Sequence, residues 1–295
     1  MAKASANGIE IEYDTFGDTS ASPLLLIMGL AAQMIWWDEE FCEQLAAKGH
    51  FVIRFDNRDV GLSTKFDDAG IPDLVEVISA RIQGKKVQAP YTLDDMADDS
   101  IGLLDALGID SAHVCGASMG GMIAQTIAIR HPKRMRSLTS IMSTTGDPSL
   151  PQAGADVMAL LITPPPRERT ENIEYSVKLW RTISGSRFPF DEDFIRKKLA
   201  ESYDRSFYPQ GAARQIAAIV AHGDRTPALK SVNVPALAIH GSEDPLVPVE
   251  CGRATARAIP GSSLLVIEGM GHNLPAGAWP QIIDAITRHT HGRSF

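Results

Sequence analysis

Cysteine is scarce: Cys42, Cys115 and Cys251 are three in 295 residues, an odd number, widely spaced and with no C-x-x-C pair. That argues against a disulfide framework and a thiolate metal site, and leaves three reduced thiols with Cys115 buried in a strand. Positive charge is short as well. With 28 Lys and Arg against 36 Asp and Glu the formal net charge is −8, whereas a nucleic-acid or anionic-membrane partner needs a basic face. No stretch approaches the roughly 20 apolar residues that span a bilayer, and the segment from Met1 to Gly8 lacks the apolar run of a secretory leader. A cytoplasmic protein with no membrane span and no nucleic-acid partner is expected. G-x-G-x-x-G, Walker and H-E-x-x-H patterns are all missing, so neither an organic cofactor nor a metal is expected. There is no internal repeat or low-complexity tract.

What is there suits a globular chain. A hydrophobic share of 44% and a charged share of 22% are ordinary, and this length can bury one large core. The first 140 residues alternate strand-like and helix-like segments, the pattern of an α/β fold with a mainly parallel sheet. Ile9–Tyr13 alternates with period two, as an edge strand does. Leu24–Met28 and Phe51–Phe55 are continuously apolar enough to be covered on both faces. Crossover helices are predicted over 36–48, ending at Gly49, and over 92–107, with Thr92 as N-cap and Asp94 and Asp95 in the first turn. After a strand at Ser137–Met142 the pattern changes. Residues 146–230 carry Pro148, Pro151 and Pro164–Pro166 with helical stretches near 154–162, 168–184, 191–203 and 209–222, and no clear buried strand. Alternation resumes at Val234–His240 and Ser263–Ile267, and an amphipathic helix over 278–290 closes the chain. The division expected is a core of 1–145 and 231–295 with a helical insertion of 146–230 over the sheet.

Residues 116–120 read Gly-Ala-Ser-Met-Gly, between the apolar run Ala112–Cys115 and the helical segment 121–128. A buried strand turning sharply into a helix leaves no room beside the turning residue, and glycines relieve that crowding. The hydroxyl of Ser118 would then stand at the sheet edge, with the free N–H groups and positive dipole end of the helix behind it. The alternative is a plain turn. A serine nucleophile needs a base, and the base an orienting carboxylate. Asp244 lies in the loop after strand 234–240, at the carboxyl edge where ligand chemistry gathers in parallel sheets. Its alternative role is to start the Asp-Pro turn, and Glu243 is its neighbour. His272, flanked by glycines in the loop after strand 263–267, has the clearest setting among eight histidines. His240 and His113 suit packed strand positions instead. The order Ser, Asp, His fits the elbow architecture. An oxyanion hole needs two preorganised N–H donors. One is expected from Met119, the other from Leu30 in the loop after strand 24–28, where Gly29 is otherwise a simple strand-end turn.

The elbow, the Met28-Gly29-Leu30 loop, the segment Arg54–Ser63, the loop Gly241–Pro248 and Gly269-Met270-Gly271-His272 together resemble the α/β-hydrolase fold superfamily, over nearly the whole chain. The resemblance implies a mainly parallel sheet flanked by helices with a helical cap. It implies Ser118 as nucleophile, Asp244 as acid, His272 as base, and the backbone N–H groups of Leu30 and Met119 as oxyanion donors. The segment Trp180–Asp191 is similar to esterases of the aclacinomycin methylesterase type and to lipase-like bacterial hydrolases. One departure is Met28, where many relatives carry His.

The function expected is a serine carboxylic-ester hydrolase acting on small to medium apolar esters through an acyl-enzyme. Trp36, Trp37, Trp180 and Phe188 are candidates for an apolar pocket, with packing of cap on core as the alternative. A C–C bond hydrolase or a cofactor-free perhydrolase on the same triad is the nearest rival, and a slow or non-catalytic ligand receptor is a rival of another class. Haloalkane dehalogenase and epoxide hydrolase chemistry needs a carboxylate at the elbow, which Ser118 excludes. A small-molecule ester is the expected partner, and a homo-oligomer is compatible with the composition.

Overall fold

Strands apolar on both faces must be covered on both, and the central sheet is. The computed structural model describes residues 1–292. Its sheet has eight strands: β1 (Ala2–Ala6), β2 (Ile9–Phe16), β3 (Ser22–Ile27), β4 (His50–Phe55), β5 (Ala112–Ala117), β6 (Met135–Ile141), β7 (Ala236–Gly241) and β8 (Ser263–Ile267). They lie in the order β1-β2-β4-β3-β5-β6-β7-β8. Strand β1 pairs antiparallel with β2 and β2 antiparallel with β4, and every other neighbouring pair is parallel.

Helices α1 (Glu39–Ala47), α2 (Leu74–Ile82), α3 (Leu93–Ala106) and α4 (Met119–Arg130) belong to the first half. Between β6 and β7 run α5 (Ala155–Ile162), α6 (Arg169–Ile183), α7 (Glu192–Arg205), α8 (Pro209–His222) and the short α9 (Thr226–Leu229); α10 (Val249–Ala258) and α11 (Trp279–Thr290) complete the chain. The two-residue period of a strand splits the core at β3. Leu25 and Ile27 join Met96 and Leu103 of α3 and Ile123 and Ile127 of α4, whereas Leu24 and Leu26 join Phe41 and Leu45 of α1 and Ile282 and Ile286 of α11. Each such side chain, fully buried, contributes about 1.5–3 kcal/mol.

Several elements differ from the sequence-based expectation, each for a local reason. The segment expected as helix 36–48 opens with a 3-10 turn at Met34–Trp36, and α1 starts only at Glu39 because the Asp38 carboxylate accepts the Glu40 N–H and caps it. Strand β1 was not anticipated: Ala-Lys-Ala-Ser-Ala has no strand signature of its own and takes its form from pairing with β2. Helices α2 and α10 were not anticipated either. In α3, by contrast, Thr92 caps with Asp95 in a reciprocal box, as its spacing implies.

Candidate active site

The turn from β5 to α4 passes through Ser118, which holds φ 54° and ψ −119°. A non-glycine residue takes that strained backbone only where its surroundings impose it. They do so here by close approach. A Cβ on Gly116 would overlap the Gly120 carbonyl oxygen, and one on Gly120 would overlap the Ile27 carbonyl oxygen. The Ser118 N–H donates to the Ile141 carbonyl at 2.9 Å, and the Ser143 hydroxyl donates to the Ser118 carbonyl at 2.8 Å.

His272 Nε2 lies 3.0 Å from Ser118 Oγ, and its Nδ1 lies 2.7 Å from Asp244 Oδ2. The other carboxylate oxygen, Oδ1, accepts the N–H groups of Leu246 at 2.9 Å and Val247 at 2.8 Å. A carboxylate can only accept, so His272 donates from Nδ1 and leaves Nε2 free to take a proton from the serine. Burial drives the Asp244 carboxyl up, but the His272 charge, hydrogen bonds from His240 and His272 and the Val247 amide outweigh it and hold it at about 2. His240 is buried, as a packed strand residue should be. It also reaches the site's rear, with Nε2 2.7 Å from the Val247 carbonyl oxygen and 3.5 Å from Asp244 Oδ2. Glu243 faces elsewhere: its carboxylate accepts the Ser186 N–H at 2.7 Å and the Ser186 hydroxyl at 2.9 Å.

Met119 is the first residue of α4, and the N–H of a helix's first residue has no intrahelical acceptor. The Met28–Leu30 loop lies against the serine, since a Cβ on Gly29 would stand 3.1 Å from Ser118 Cβ and 3.7 Å from its Oγ. Its carbonyl at Met28 accepts the Asn57 side-chain N–H at 2.9 Å, an anchor that needs no His at position 28. Asp56 grips the far end of the loop through the Met34 N–H at 2.8 Å, and pairs with Arg205 of α7 at 2.7 Å. The segment after β4, noted above only for its resemblance, therefore supports this loop.

Trp37 is a correction. It is 0% exposed, stacks on Phe41 with ring centroids 5.7 Å apart, and belongs to the core layer of α1 and α11. The 3-10 turn at 34–36 rotates it inward and leaves its neighbour half-buried beneath the insertion. That neighbour, Trp36, stacks on Trp180 of α6 at 4.2 Å with 13° between the planes. Phe188 is half-buried against the α11 side of the core, beside Gly277. Residues without a sequence signal also meet here: Ser143, and Gln215 of α8, whose Oε1 accepts the Ala31 N–H at 2.8 Å.

A sequence profile of the alpha/beta hydrolase fold matches residues 22–276. The chain belongs to the α/β-hydrolase fold family. Rhodomycin D methylesterase DauP of Streptomyces sp. (strain C5) is 33% identical over 297 residues, covering 93% of this chain and 92% of that protein. The 3-oxoadipate enol-lactonase 2 of Acinetobacter baylyi is 27% identical over 271 residues, covering 90% and 87%. Among solved structures, a meta-cleavage product hydrolase from Pseudomonas fluorescens superposes with a TM-score of 0.76 at 19% identity, covering 99% of this chain and 98% of that one. This α/β-hydrolase is an esterase-type serine hydrolase. Among its described residues no helix is long and apolar enough to cross a membrane, and no group of three His, Cys, Asp or Glu is arranged to hold a metal ion.

Proposed function

We propose that Ser118 is the nucleophile of a carboxylic-ester hydrolase, with His272 as general base and Asp244 as the acid that orients it. The observation that carries the reading is His272 spanning the gap between Asp244 Oδ2 and Ser118 Oγ at 2.7 and 3.0 Å. Ser118 Oγ bonds to the ester carbonyl carbon as its proton passes to His272 Nε2. The negative charge that develops on the carbonyl oxygen is received by the N–H groups of Leu30 and Met119. Collapse of the tetrahedral species breaks the C–O bond, and the imidazolium gives its proton to the departing alcohol. Water, deprotonated by the same imidazole, attacks the acyl-enzyme and releases the acid.

Residues 146–230 are read as a cap, and its contacts support placing substrate discrimination there. Trp36, Trp180 and Phe188 offer an apolar wall for small to medium apolar esters. Methyl esters are the first class to try, because a relative with 33% identity is a methylesterase. Fluorophosphonate labelling should disappear in Ser118→Ala, and undiminished labelling would overturn the nucleophile. A panel of methyl and p-nitrophenyl esters of rising acyl length should show turnover, and a vinylogous diketone should be left intact. Cleavage of the diketone with no ester turnover would favour the C–C hydrolase instead.

A further inference from the structure

We propose that Gln215 is a positioning residue for the oxyanion loop, so that the insertion governs the chemical step as well as covering the site. The inference rests on Leu30 acting as an oxyanion donor. Gln215 is 0% exposed and comes from α8, far along the chain from the loop it holds. Its Oε1 accepts the Ala31 N–H at 2.8 Å, and its Nε2 donates to the Arg58 carbonyl at 2.9 Å. Both ends of the amide are thereby satisfied, and each fixes the other's orientation.

Ala31 is held at φ 56°, a left-handed conformation that an alanine leaves unless something keeps it there. Two bonds keep it there: the Ala32 N–H donates to the Gly29 carbonyl at 3.4 Å across the turn, and the Gln215 side-chain carbonyl, at the shorter 2.8 Å, takes the Ala31 N–H itself. The Ala31 amide and the Leu30 N–H are joined through the Leu30 Cα, so a loop that relaxes when the Ala31 N–H loses its acceptor shifts Leu30, and with it the Leu30 N–H, from the point where charge develops. Contacts further along the loop do not replace this one. Gln33 Nε2 donates to the Ser202 and Ser206 carbonyls at 2.6 and 3.0 Å, and Arg205 donates to Gln33 Oε1 at 2.7 Å. These pin the loop at residue 33, on the far side of Ala31. The substrate's ground state does not depend on the Leu30 N–H as the tetrahedral oxyanion does, so the effect falls on kcat rather than KM.

The test compares wild type with Gln215→Met, which removes both polar ends at similar volume, and Gln215→Glu, whose ionised carboxylate is repelled by the Arg58 carbonyl and so is pushed off the Ala31 N–H until it is protonated. Active sites are counted by fluorophosphonate titration. For each titrated site, kcat and KM on p-nitrophenyl acetate are measured, together with inhibition by phenylboronic acid, whose tetrahedral adduct mimics the oxyanion. Gln215→Met should lose about 10–100-fold in kcat per titrated site, the scale set by a displaced or missing oxyanion donor. KM should stay within about threefold, and phenylboronic acid should weaken by a factor close to that of kcat. In Gln215→Glu the protonated carboxyl reproduces both bonds, so its kcat per site should rise toward wild type at low pH through an ionisation the wild type lacks. Undiminished kcat per titrated site in Gln215→Met overturns the proposal, as does a loss confined to the titratable fraction. Should Gln215→Met fail to fold, a Gln215→Glu to wild-type ratio that is flat with pH overturns it. Turnover surviving Ser118→Ala would instead overturn the nucleophile reading beneath it.

Discussion

Replacing Asp244 by Asn tests the site through geometry alone, because the two amides bound to Oδ1 dictate how the new side chain must sit. Leu246 and Val247 both donate to Oδ1, at 2.9 and 2.8 Å. Asparagine keeps those bonds only if its carbonyl oxygen takes the Oδ1 position, and that puts its NH2 at the Oδ2 position, 2.7 Å from His272 Nδ1. Two donors would then face each other. The imidazole resolves the clash by moving its proton to Nε2, so that Nδ1 accepts and Nε2 presents a hydrogen to Ser118 Oγ. In that tautomer it cannot accept the serine proton. The expected loss is about 10⁴-fold in kcat, the scale of this change in Ser-His-Asp sites and equivalent to about 5.5 kcal/mol of barrier.

The assay is kcat and KM on p-nitrophenyl acetate and on a methyl ester, with thermal unfolding to confirm that Asp244→Asn is folded. KM should change little, because Asp244 touches the base and not the substrate. Asp244→Asn working within tenfold of wild type would refute the argument, for then neither the tautomer nor the carboxylate governs the base. Glu243 cannot rescue the variant, since its carboxylate is engaged with Ser186.

Gly120→Ala should lower the melting temperature by several degrees, a cost of about 1–3 kcal/mol for forcing a methyl against the Ile27 carbonyl; an unchanged melting curve would show that the elbow yields. Acid should destabilise the fold through its buried histidines. Burial, with smaller contributions from the charges of His50, Arg136, His289 and His291, pushes His113 from 6.5 down to about 4. A lowered folded-state value favours the neutral ring, so its stabilisation is complete above about pH 6.5 and is lost as pH falls toward 4. Urea unfolding at pH 7.5 and 4.5 should reveal about 2–3 kcal/mol of loss from this group, and His113→Gln should lose less; an equal loss in both would acquit His113. Amide hydrogen exchange should be faster in α5 than in α7 and α8, because α5 packs chiefly on α6; equal protection would show the insertion opening as one body.

The reading from sequence went furthest where the reason was local. The glycines at 116 and 120 are legible because the crowding they relieve lies within a few residues of the serine. Asp244 and His272 are legible because each follows a strand at its carboxyl end, and parallel strands bring those ends together. The structure places His272 beside Ser118 and Asp244 behind His272. Trp37 misled because its direction depends on a 3-10 turn that composition does not signal. Gln215 left no trace in the sequence: its partner Ala31 lies 184 positions away, and a glutamine on the buried face of a helix looks like any other polar interruption. Asp56 and Asn57 were visible as polar residues directly after a buried strand, but what they hold is settled only by the return of the loop at 28–34.

The connections between insertion and core bear on how the site can open. From the insertion side, the Ile183 carbonyl accepts the His272 N–H at 2.7 Å and the Arg187 N–H donates to the Gly269 carbonyl at 3.1 Å. Gln215 and Arg205 reach the loop at 28–34, and Ser186 reaches Glu243. A rigid swing of the whole insertion would break these bonds together and leave the groups at the buried Gln215, Gln33 and His272 unpaired, at about 1–3 kcal/mol apiece. That sum is a large share of the stability of an ordinary domain. Opening by parts costs far less. Helix α5 carries Met158, Leu160, Leu161 and Ile162 with only Val157 fully buried, and the Tyr175 hydroxyl donates to the Leu160 carbonyl. Displacing α5 leaves the ties to His272, Gly269, Glu243 and the loop at 28–34 in place, so under the proposed function access and catalytic geometry fall to different parts of the segment 146–230.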